Sequence, residues 1–111
     1  MSEITYSDFE KIEMRVGKII AVEDFPKARK LAYKLTIDFG AFGIKRSSAQ
    51  ITTLYTKEDL IGRQIIAVTN FPPRQIADFM SEVLVLGVVG AGGDVVLLRM
   101  EREVELGGRV S

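Results

Sequence analysis

The stretch TKEDLIG, Thr56 to Gly62, is the one segment in the middle of this 111-residue chain that reads as a helix. Thr56 suits an N-cap, Glu58 and Asp59 fall in the first turn where the helix dipole favours acids, and Gly62 supplies a stop. One or two turns is all the spacing allows. On both sides the chain reads as strands, so the fold turns on which β-architecture takes a small helix at that point.

Upstream, YKLTIDFG alternates cleanly, with Tyr33, Leu35, Ile37 and Phe39 facing one way and Lys34, Thr36 and Asp38 the other. The glycines of FGAFG predict a turn after it, and IKRSSAQI continues in extended form with unusual polarity. Before it, RVGKIIAVEDF predicts a first strand with Val16, Ile20 and Val22 on one side and Gly17 on the other, at a place where a bend is cheap. Ser7 and Glu10 stand at capping-box spacing and predict a short helical turn near the N-terminus.

Downstream come RQIIAVTN, SEVLVLGVV and DVVLLRM, each short and rich in β-branched residues or leucine. Gly90 to Asp94 separates the last two, which predicts a hairpin. Three strands, one small helix and then further strands describe an all-β, five-stranded OB-fold barrel with terminal extensions, the helix lying between strands three and four. A small SH3-like barrel is the alternative; a helix plugging one end of the barrel favours the OB-fold. The length fits one domain over residues 1–111.

The chain has no cysteine and no histidine, which removes disulfides, thiol nucleophiles, imidazole bases and the usual zinc ligands. Glu101, Glu103 and Glu105 alternate as one exposed strand face rather than cluster, so no metal, no cofactor and no catalytic activity are expected. No apolar run approaches the ~20 residues that span a bilayer, and no basic start leads into an apolar stretch. A cytoplasmic protein without membrane insertion is expected.

Formal charge is zero, so binding to a polyanion must rest on local charge. Lys27 to Arg46 holds six basic residues against one acid, whereas Gln75 to Glu105 holds six acids against two bases. One face of such a chain can bind phosphates. Within the basic half, Arg46, Ser48 and Gln50 share a strand face under period two and offer a cation, a hydroxyl and an amide on a low surface. A nucleic-acid backbone or an extended peptide fits that surface; a solvated edge strand is the plainer reading.

The second candidate is NFPPRQ. Pro72 and Pro73 fix two φ angles, withhold two donors and push Phe71 toward an extended conformation. Arg74 is thereby projected from a stiff segment expected to leave the sheet, and Asn70 is placed to stabilise the turn or to donate to a ligand. Prolines that only block sheet growth are the alternative. Phe25, Phe42, Phe71 and Phe79 fall in predicted loops or turns, where rings are exposed and serve base stacking and peptide contact equally.

RVGKI, PKA with KL after it, and NFPPR, in this order, resemble the tRNA-binding domain family, and the similarity covers nearly the whole chain. NFPPRQI with SEVLVLG is similar to its branch of small export-related chaperones. The resemblance implies an OB-fold homodimer, with Ser7-Asp8-Phe9 and the C-terminal VELGGRV contributing to the interface. It implies an RNA-facing surface of Lys45, Arg46, Ser48, Gln50, Asn70, Arg74 and Ser81. Family members usually carry Gly-Met where this chain has Val83 and Leu84, a more apolar edge suited to unfolded polypeptide, with Phe71, Phe79 and Val83 as the expected peptide contacts. The expected function is a non-catalytic, free-standing chaperone for unfolded or pre-export polypeptides, with tRNA binding in trans as the alternative.

Overall fold

The computed structural model describes residues 2–111. Its elements run in the order α1 (Tyr6–Glu10), β1 (Met14–Asp24), β2 (Tyr33–Asp38), a 3₁₀ turn (Gly40–Phe42), β3 (Ile44–Ala49), α2 (Lys57–Leu60), β4 (Gln64–Val68), β5 (Arg74–Ile76), β6 (Phe79–Ser81), β7 (Leu84–Val85), β8 (Gly87–Val89) and β9 (Val95–Leu97). The main sheet has the antiparallel order β3-β2-β1-β4-β7, while β5–β6 and β8–β9 are separate hairpins.

The chain from Ser81 to Val83 runs along the free edge of β3 and nearly closes the barrel. Glu82 N–H donates to Arg46 O at 2.7 Å, and the Glu82 carboxylate accepts from Arg46 N–H at 2.9 Å. The hydroxyl of Ser81 accepts from Ser48 N–H at 3.0 Å. Side chains thus replace part of a ladder that the backbone alone does not complete. The architecture is the all-β, OB-type barrel expected, with α2 between the third and fourth strands.

The core follows from period two. Tyr33, Leu35, Ile37 and Phe39 are all buried and pack with Ile19, Ile51, Leu60, Ile65 and Ala67. Each such large side chain contributes about 1.5–3 kcal/mol by leaving water. Leu60 reaches this core from α2, a helix fixed by a reciprocal cap in which Thr56 Oγ1 accepts from Asp59 N–H and Asp59 Oδ2 accepts from Thr56 N–H. A single turn of helix, too short to stand alone, is held by its cap and by one buried leucine.

Five local expectations are corrected. The N-terminal cap is Thr5 with Asp8, because Thr5 holds the extended conformation a cap needs while Ser7 lies inside the helix. In β1 the inward residues are Gly17, Ile19 and, beyond a bulge, Val22; the register slips between Ile19 and Ala21 and turns Ile20 outward. Gly17 is the close approach rather than the bend, since a β-carbon there would lie 2.5 Å from Ile37 Cγ2 and 2.7 Å from Phe39 Cε1. SEVLVLGVV is not one strand but parts of β6, β7 and β8, because the chain changes partner from β5 to β4 and then to β9. Glu101, Glu103 and Glu105 are exposed but lie outside any strand. Among the described residues no helix is long and apolar enough to cross a membrane.

Candidate polypeptide and nucleic-acid surface

The prolines of NFPPRQ lead into a hairpin. Arg74 opens β5 opposite Ser81, and Ile76 lies opposite Phe79. The tight reversal between them puts Ala77 at φ 53°, a left-handed conformation uncommon for a side-chain-bearing residue. This hairpin stands over the end of β3 and brings Ser81 to Ser48, as the cross-edge hydrogen bond shows.

Between the hairpin, the end of β3 and β7 lies a cleft of about 530 Å³. Six expected site residues line it: Ser48, Gln50, Phe71, Arg74, Ser81 and Val83. Its walls are otherwise mainly apolar, including Ile51, Pro72, Leu84, Val85 and Leu97. Phe71 is 53% exposed and Leu84 50% exposed, so both present apolar surface to solvent there. Val83 is only 6% exposed because it also belongs to the barrel core; the accessible side chain is that of its neighbour Leu84, which opens β7.

A second concavity of about 700 Å³ lies on the other side of Ser48, Gln50 and Arg74. Lys27, Arg29 and Lys30 line it, so it is basic. Lys27 is paired with Asp78 at 2.9 Å, and the hydrogen bond between them raises the lysine pKa and lowers that of the carboxyl. Arg29, Lys30 and Arg74 enter none of the ion pairs among the described residues.

The other expected residues are placed elsewhere. Phe79 is 5% exposed, which corrects its reading as an exposed ring: it meets Phe25, equally buried, edge-on at 5.4 Å, with Ala32 beside them. Arg46 stacks on Phe79 at 4.7 Å and pairs with Glu23 at 2.9 Å, so it covers this aromatic pair and lines neither concavity. Lys45 falls on the opposite face of β3 from Arg46 and Ser48 and also lines neither. Asn70 spends both ends of its amide on the backbone, accepting from Glu13 N–H at 2.9 Å and donating to Lys11 O at 2.7 Å.

The polar character of β3 has a structural component as well. Ser47 is 1% exposed and donates to Val83 O at 2.9 Å, tying β3 to the closing segment. The chain ends also meet: Arg109 donates to Glu10 O at 2.8 Å and Val110 N–H to Met14 O at 2.9 Å, with Ile4 and Tyr6 exposed nearby in sequence. Among the described residues no group of three or more His, Cys, Asp or Glu side chains is arranged to hold a metal ion.

The family model described as "Putative tRNA binding domain" matches residues 14–109. The fold is similar to that of the chaperone CsaA from Bacillus anthracis str. Ames, with TM-score 0.95 and 50% identity over 99% of this chain and 100% of that one. It is also similar to the CsaA chaperone protein from Picrophilus torridus, with TM-score 0.91 and 54% identity over 98% and 100% of the two chains. Among curated proteins, methionine–tRNA ligase of Methanocaldococcus jannaschii is 35% identical over 99% of this chain, which spans only 17% of that enzyme's length.

Proposed function

This chain belongs to the tRNA-binding domain family, and on that premise we propose that it is a non-catalytic, export-related chaperone holding unfolded or pre-export polypeptide segments in the cleft between Phe71 and Leu84. The observation that carries this reading is the exposure of those two apolar side chains on a largely apolar cleft. Apolar groups of an unfolded segment gain about 25 cal/mol for each Å² they bury, and Ser48, Gln50 and Ser81 offer hydrogen bonds to its backbone. Full-length similarity to two CsaA chaperones supports the same reading.

A second reading, tRNA binding, is favoured by the basic concavity of Arg29, Lys30 and Arg74 and by the family itself. In both readings the protein works in the cytoplasm as a homodimer. Support for the dimer comes from the joined chain ends, which carry exposed Ile4 and Tyr6.

Salt separates the two ligands. A labelled signal-type peptide should hold or gain affinity as salt rises, whereas labelled tRNA should lose it with a log–log slope of about 0.7–0.9 per phosphate contacted. Peptide that fails to bind at either ionic strength would overturn the chaperone reading.

A further inference from the structure

We propose that polypeptide and RNA exclude one another on this surface, because the apolar cleft and the basic concavity share one wall. The proposal rests on both readings above, the apolar cleft as the polypeptide site and the basic concavity as the RNA site. Ser48, Gln50, Arg74 and Ile76 line both concavities. The two ligands therefore meet at the same side chains rather than on separate faces.

Arg74 is the decisive member. It is exposed, pairs with no carboxylate among the described residues and sits on a short hairpin beside Ser81. Its guanidinium is one rigid fork of donors, so engaging a phosphate on the Lys30 side turns it away from peptide carbonyls on the Phe71 side. Gln50 is exposed and meets the same choice through one amide.

The electrostatics act in the same direction. Lys27 and Asp78 form an exposed pair, and a phosphate arriving beside Arg29 and Lys30 competes with Asp78 for the lysine. RNA would thus draw the cations of the wall to its own side. Because a coupling between two binding sites is reciprocal, a bound polypeptide must weaken RNA by the factor by which RNA weakens polypeptide.

The test follows a fluorescein-labelled apolar peptide by anisotropy at low ionic strength, without and with unfractionated tRNA in saturating excess over protein. The expected result is an apparent peptide Kd that rises in proportion to tRNA concentration without reaching a plateau, about 10-fold at ten times the tRNA Kd, and labelled tRNA displaced in the same way when peptide is titrated against it. Arg74→Ala is expected to weaken both ligands, tRNA the more strongly. A peptide Kd unmoved by bound tRNA, with peptide sedimenting alongside the protein–tRNA complex, would overturn the exclusion and leave the polypeptide site standing. A loss on Arg74→Ala confined to one ligand would also overturn the shared wall. Failure of the peptide to bind without tRNA would instead defeat the polypeptide reading, failure of tRNA to bind without peptide would defeat the RNA reading, and either would overturn the exclusion.

Discussion

Asn70 clamps the N-terminal segment to the barrel through Glu13: its Oδ1 accepts from Glu13 N–H at 2.9 Å, while its Nδ2 donates to Lys11 O at 2.7 Å. The side chain that ends the strand region before the prolines therefore holds the connection between α1 and β1. Asn70→Ala is expected to lower unfolding free energy by about 1 kcal/mol in urea titration, the worth of such bonds in a partly solvated setting. A direct RNA contact would behave otherwise, with tRNA affinity lost at unchanged stability.

Ser47 closes the barrel from inside. Its buried hydroxyl is a donor to Val83 O, and Ser47→Ala leaves that carbonyl without this partner. The expected loss is about 1–3 kcal/mol, the cost of an unsatisfied buried polar group, read from the urea midpoint at constant m. A neutral result would show that the closing segment is held by packing alone.

Gly17 leaves room for Ile37 and Phe39. Gly17→Ala would force its β-carbon within 2.5 Å of Ile37 Cγ2, an overlap the core can relieve only by moving a strand or a ring. Overpacking of this kind costs about 1–3 kcal/mol, and the thermal midpoint should fall accordingly.

Acid should weaken the plug of the barrel. The backbone and side-chain hydrogen bonds from Thr56 hold the Asp59 carboxyl below its usual range. With the folded pKa below the unfolded one, the cap contributes stability above the unfolded value and loses it as pH falls through the folded value. Carboxyl titration by NMR should find Asp59 among the late-protonating groups, and Asp59→Asn should flatten the acid limb of the stability profile.

The parts of this fold legible in the sequence are those whose signals are local. Tyr33 to Phe39 and Thr56 to Gly62 announce a half-buried strand and a capped turn of helix within a few residues, and both stand as read. Phe79 gives no such signal. Flanked by turn residues it reads as exposed, and its burial depends on Phe25, a partner brought to it only by the barrel. The breaks in SEVLVLGVV are hidden for a related reason: an apolar run shows that a segment is buried but not that it changes neighbours. Phe71, Arg74, Ser48 and Ser81, singled out by turn chemistry, period two and family likeness, all line the apolar cleft. Leu84 takes the exposed place at the cleft because Val83, in the bend before β7, packs into the core.

In the proposed arrangement Phe71 presents apolar surface to polypeptide while phosphate is met on the far side of Arg74. The most direct measurement is the affinity of Phe71→Ala for a labelled apolar peptide and for labelled tRNA under identical conditions. Phe71 is exposed and lines the apolar cleft but not the basic concavity, so its removal should leave the fold intact. Peptide binding is expected to weaken about 10-fold, as for loss of an aromatic anchor, with tRNA affinity retained. Peptide affinity equal to that of the parent, or a matching fall in tRNA affinity, would contradict it.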